Sequence, residues 1–112
     1  SAFAIGTDGA LTDRRTWATT GDRAPDGIAL DAEGAIWFAN AFAGECVRMA
    51  EGGAVLEVVT TGARNCYACM LGGPDGRHLL LLVADRVDPE AGVAPTGAVL
   101  VTEVEVPHAG RP

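Results

Sequence analysis

Arg23-Ala-Pro-Asp-Gly-Ile-Ala-Leu-Asp-Ala-Glu-Gly-Ala-Ile-Trp-Phe-Ala-Asn40 is the stretch on which the reading of this chain turns. It reads as loop, strand, tight turn, strand. Ile28 and Leu30 alternate with smaller or polar neighbours, the pattern of a half-buried strand. Asp31-Ala-Glu-Gly34 supplies turn chemistry, with Gly34 free to take a positive φ. Ala35-Ile-Trp-Phe-Ala39 resumes as a second, strongly apolar strand. Just ahead of the first strand stands Asp26, a carboxylate between Pro25 and Gly27.

The same turn recurs on either side. Asp8-Gly-Ala-Leu11, Glu33-Gly-Ala-Ile36, Gly52-Gly-Ala-Val55 and Asp75-Gly-Arg-His78 each place a glycine at the entrance to an apolar run. Ala2 to Ile5, a polar outer strand through Leu11 and Arg15 to Thr19, Cys46 to Ala50, Ala54 to Thr60, Cys66 to Leu71, Leu79 to Ala84 and Ala98 to Val106 read as further strands. No segment carries helical periodicity over three turns. Asp31 and Asp75 mark a period of about 40–45 residues with room for four strands, which is the signature of a β-propeller blade. The expected fold is all-β: about two and a half four-stranded antiparallel blades of a partial propeller. They divide as a half blade at 1–20, a blade at 26–60 and a blade at 66–106. The long connection from Asp85 to Thr96, with Pro89, Gly92 and Pro95, is the expected functional loop.

Composition narrows the function. A chain of 112 residues, 48% hydrophobic and 21% charged, can bury a core and is not a disordered segment. Fifteen acidic residues face eight basic ones, for a formal charge of −7. No cluster of Lys and Arg is larger than Arg14-Arg15, so neither nucleic acid nor an anionic membrane surface is an expected partner. The longest apolar run, Leu79 to Ala84, is too short to span a bilayer. The first residues lack both a basic n-region and a long apolar core, so no signal peptide is read. They begin inside an apolar alternating run without Met, which predicts that part of a larger architecture lies outside this sequence.

Cys46, Cys66 and Cys69 are an odd number of cysteines, and with no secretory signal they point to a reducing, cytoplasmic compartment. Cys66-Tyr-Ala-Cys69 has C-x-x-C spacing but no second ligand pair for zinc, and Gly72-Gly-Pro74 breaks the helix that a thioredoxin-type motif needs. On a regular strand, residues i and i+3 face opposite ways, so the two thiols are expected apart and buried as core residues. Ser1 is the only serine, which leaves no Ser-His-Asp set.

Three separated motifs together resemble the SMP-30/gluconolactonase family (senescence marker protein 30, regucalcin and bacterial lactonases). They are Pro25-Asp-Gly through Ala39, then Cys66-Tyr-Ala-Cys-Met-Leu-Gly-Gly-Pro-Asp75, and then Leu79 to Ala84 followed by Thr96-Gly-Ala-Val-Leu100. The resemblance covers nearly the whole chain and maps onto the C-terminal two-fifths or so of a six-bladed propeller. It implies a hydrolase of lactones or related esters with one divalent cation on the propeller axis. It also implies that Asp26, the aspartate of the Pro-Asp-Gly motif, is a metal ligand; as the carboxylate beside the cation, Asp26 is also the candidate catalytic base. The family's other ligands, a Glu of the first blade and an Asn of a middle blade, have no counterpart here. Asn40, at the outer end of its strand, does not replace the latter.

Chemistry supports the same role without requiring it. A lactone carbonyl has to be polarised and a water activated; a cation can do the first and a carboxylate the second. An aspartate between Pro and Gly serves equally as a turn cap. If the site is completed, Ca²⁺, Zn²⁺, Mg²⁺ and Mn²⁺ all remain open as the cation, because one carboxylate does not choose among them. Open blade edges predict association, either with further copies or with an N-terminal companion chain that completes the propeller. The alternative is a truncated or degenerate propeller fragment that assembles or binds a ligand without catalysis.

Overall fold

The computed structural model describes residues 1–85 and 96–110. Its strands are β1 (Ala2–Ile5), β2 (Leu11–Arg15), β3 (Pro25–Leu30), β4 (Ile36–Asn40), β5 (Glu45–Met49), β6 (Val55–Thr60), β7 (Asn65–Gly72), β8 (His78–Ala84) and β9 (Ala98–Glu103). There is no helix among the described residues. The strands form a two-stranded hairpin, a four-stranded antiparallel sheet in the order β3-β4-β5-β6, and a three-stranded sheet in the order β7-β8-β9. This is the meander of propeller blades: all-β, and a partial propeller.

The repeated turns are built as their residues require. Gly9, Gly34, Gly53 and Gly76 all take positive φ, between 77° and 100°, where a Cβ would be strained. Asp8, Asp31 and Asp75 each accept a hydrogen bond at Oδ1 from the backbone N–H two residues on, at 3.0, 2.9 and 3.2 Å. That is the Asx turn, repeated once per sheet.

Two apolar layers hold the sheets. Ala29, Trp37, Ala39 and Cys46 on one face of the middle sheet pack against Cys66, Cys69, Leu71, Leu79, Leu81 and Val83 of the last. The opposite face of the middle sheet buries Phe38, Val47 and Met49 under Trp17 and Ala18. Trp17 therefore reaches the core from an irregular segment. The expected strand from Arg15 to Thr19 does not form, because β2 ends at Arg15 and the chain then turns to dock this indole.

Further expectations change, and one lies outside the described residues. The last sheet has three strands, so only the middle blade is four-stranded among the described residues, and β9 ends at Glu103 rather than Val106. The long loop of 85–96 falls almost entirely outside the described residues. Cys66 and Cys69 do not face opposite ways. Cys66 pairs with Val83 and Ala68 with Leu82, so Tyr67 is an extra residue in a bulge, and Cys69 opposite Leu81 returns to the face of Cys66.

The hairpin β1-β2 stands beside this double layer with Phe3, Ile5 and Leu11 exposed. The radius of gyration, 15.3 Å, accordingly exceeds the roughly 13 Å of a compact domain of this length. The outer face of the last sheet leaves Met70, Leu82, Val99 and Val101 open, and the edge strand β3 of the middle sheet leaves Ile28 and Leu30 open.

Candidate active site around Asp26

Asp26 lies in β3, where the ladder is irregular. Pro25 pairs with Asn40 and Ile28 with Phe38, so Asp26 and Gly27 together oppose the single residue Ala39. A bulge of this kind re-aims a side chain at the rim of a sheet. Asp26 is exposed, and among the described residues its carboxylate makes no hydrogen bond and no ion pair. It thus differs from Asp8, Asp31 and Asp75, whose carboxylates cap turns.

Both sides of Asp26 are held. On its C-terminal side, β3 passes so close to β7 that a Cβ on Gly27 would lie 2.7 Å from Ala68 Cα and 2.9 Å from Ala68 Cβ. Only glycine fits without displacing a neighbouring backbone. On its N-terminal side, the Ala24 N–H donates to Asn40 Oδ1 at 3.1 Å, and Asn40 Nδ2 donates to Glu45 Oε1 at 2.9 Å. The same Glu45 oxygen accepts from Arg23 Nε at 2.9 Å. The hydrogen bond from Asn40 is the main reason that the Glu45 carboxyl titrates below its ordinary value. Burial works the other way, and the Arg23 guanidinium adds to the lowering. This partly buried Asn40–Glu45–Arg23 chain was not legible in the sequence, although Asn40 at the end of an apolar strand, five residues before Glu45, was the available signal.

The opposite end of the same strands holds a structural ion cluster. Asp31, fully buried, accepts from Arg48 Nε at 2.6 Å and from the N–H of Ala35 at 3.0 Å, and Arg48 Nη2 reaches Glu33 at 2.8 Å. Burial pulls the Arg48 pKa down, but hydrogen bonds to Asp31 and Glu33 outweigh it and leave the value raised. Both histidines are at this end too: His78 pairs with Gly72 at the close of β7, and His108 bridges to Asp31. Neither is beside Asp26. A groove of about 570 Å³ between β3 and β7 also opens here, lined by Leu30, Met70, Gly72 and His108 among others. It holds no carboxylate.

A hard divalent ion takes ~6–8 oxygen ligands. Among the described residues no group of three or more His, Cys, Asp or Glu side chains could hold a metal ion. Asp26 alone does not fit one. The three cysteines converge in the core rather than at Asp26.

Stacked meandering sheets around a Pro-Asp-Gly bulge can now be set against known proteins. Residues 1–85 match the SMP-30/Gluconolactonase/LRE-like region. The chain belongs to this family. A solved structure of a luciferin-regenerating enzyme superposes on the partial propeller with a TM-score of 0.76 at 18% sequence identity. The superposition takes in 95% of this chain and 38% of the enzyme, so the chain spans well under half of that propeller-type fold. At this identity the likeness speaks for the fold. No curated protein matches the chain at a significant level.

Proposed function

We propose that this SMP-30/gluconolactonase-like chain contributes two adjacent blade sheets, and with them Asp26, to a propeller that hydrolyses lactones or related carboxylic esters. The observation that carries this reading is the contrast among aspartates. Three of them spend their carboxylates on turns, while Asp26 is clamped on both sides and presents a free one at a bulged strand entrance. A carboxylate held in this way can take the proton of an attacking water, and this is the catalytic role proposed for it. In a completed propeller Asp26 would also be one oxygen donor of a cation site. The remaining donors belong to the further sheets, and Ca²⁺, Zn²⁺, Mg²⁺ and Mn²⁺ are all compatible with one aspartate.

The open apolar faces support association, either of copies of this chain or with an N-terminal companion that completes the propeller. Light scattering should show a species larger than the monomer at micromolar concentration; a stable monomer removes this part of the proposal. In the completed assembly, Asp26→Ala should lower lactone hydrolysis by about 10²–10⁴-fold and leave the melting temperature unchanged. Hydrolysis at an undiminished rate would sink the role of Asp26. The second reading, a non-catalytic assembly piece, is favoured by the absence of a metal-competent cluster among the described residues. It predicts an assembly that leaves lactones untouched whether or not Asp26 is present.

A further inference from the structure

All three cysteines of the chain meet between the two stacked sheets. Cys46 on β5 and Cys66 on β7 are fully buried, and Cys69 nearly so, within one apolar cluster. The bulge at Tyr67 makes this possible, because it turns Cys66 and Cys69 to the same face of β7, towards Cys46. The sulfurs are not equivalent. Cys69 Sγ lies 3.4 Å from the Gly27 carbonyl oxygen and 3.5 Å from that of Trp37, and donates to the backbone there. The Cys46 thiol lies against those of both Cys66 and Cys69, and Cys66 Sγ donates to the Ala68 carbonyl oxygen at 3.8 Å.

The backbone pins this pair. The Cys66 N–H donates to the Ala43 carbonyl at 3.2 Å and the Thr61 N–H to that of Gly44 at 2.8 Å. The start of β7 is thereby tied to the turn that leads into β5. The neighbouring Cys46 thiol lowers the Cys66 pKa, with burial opposing it, while the nearness of Cys66 and Cys69 and burial push the Cys46 thiol up. Cys66 is accordingly the better nucleophile of the two.

We propose that Cys46 and Cys66 are a peroxide-operated covalent staple between the middle and last sheets, with Cys69 left as a free thiol. The chemistry balances. The Cys66 thiolate attacks hydrogen peroxide; the O–O bond breaks, one oxygen goes to sulfur as a sulfenic acid, and the other leaves and is protonated to water. The Cys46 sulfur then attacks the Cys66 sulfur, forming the S–S bond and expelling the sulfenic oxygen, which takes the Cys46 proton and leaves as a second water. Two thiols and one peroxide give one disulfide and two waters. Burial makes the first step wait for a local opening of the sheets, so the reaction is slow and speeds up in mild denaturant. Cys66 and Cys69 lie one above the other on a single strand face, too far apart to pair without moving backbone.

The test uses the whole chain. Incubation with hydrogen peroxide, then unfolding, alkylation and mass mapping, should show the loss of two hydrogens, a Cys46–Cys66 linked peptide and an alkylated Cys69. Dithiothreitol should restore all three thiols. The stapled chain should melt several degrees higher than the reduced one, since the link restricts the unfolded chain. Three intact thiols, a Cys66–Cys69 link, separate sulfinic acids or an unchanged melting temperature would each overturn the proposal. Cys69→Ala should still form the link. The mapping of the unsubstituted chain stands whether or not a variant folds.

Discussion

Gly27→Ala tests the packing that fixes the candidate site. Gly27 has an ordinary backbone φ, so the substitution is judged by space alone. The new methyl would meet Ala68 Cα at 2.7 Å and Cys69 N at 3.3 Å. Both are backbone atoms and cannot rotate away, so β3 and β7 must move apart. Overpacking of this kind costs about 1–3 kcal/mol. Against it, alanine stiffens the unfolded chain and returns about 0.4–1 kcal/mol. The expected net loss is about 1–2 kcal/mol, or about 4–8 °C in melting temperature for a chain of this size. Urea unfolding followed by circular dichroism measures it. Adding Ala68→Gly removes the 2.9 Å contact with Ala68 Cβ but not the one with Cα, so rescue should be partial, with a coupling of about 0.5–1 kcal/mol. A Gly27→Ala chain that unfolds at the wild-type midpoint with the wild-type slope would refute the close approach of the two sheets.

Two further perturbations follow from the polar clusters. Because the Glu45 carboxyl is lowered in the folded chain, its stabilising contribution is complete above its ordinary value of 4.5 and is lost as pH falls through the lower folded value. The urea midpoint should therefore fall on acidification from about pH 5 towards about pH 3, and less steeply in Asn40→Ala; equal slopes would remove Asn40 as the cause. At the other end, Arg48→Met leaves the buried Asp31 charge with only its backbone donors and should cost about 3 kcal/mol. Glu33→Gln, at a side chain that is 67% exposed, should cost under about 1 kcal/mol in the same urea titration.

The all-β fold was legible because turn glycines recur at a blade's spacing, and a glycine in a left-handed turn has few substitutes. Burial of Trp37 and the capping roles of Asp31 and Asp75 follow from the same local rules. What escaped depends on register. Nothing in Cys66-Tyr-Ala-Cys69 announces that Tyr67 is an extra residue, yet that one insertion reverses which face both thiols share. Gly27 reads as a turn residue, although its reason is a neighbour some forty positions away. Trp17 looks like an outer-strand residue because its partners, Phe38, Val47 and Met49, lie in another sheet. Asp26 could be singled out from its Pro-Asp-Gly setting, but its freedom from a capping role appears only when Asp8, Asp31 and Asp75 are seen to cap turns.

The chain's two tryptophans sit in different seams. Trp37 is wholly enclosed between the stacked sheets, its Nε1–H without a partner and its carbonyl oxygen 3.5 Å from the Cys69 sulfur. Trp17 is only half covered, where the segment after β2 lies over the middle sheet. The molecule therefore carries its own pair of optical probes. The blue-shifted emission follows the parting of two blades, and the redder emission follows the lifting of the N-terminal segment, so the order in which these seams open can be read from one unlabelled sample.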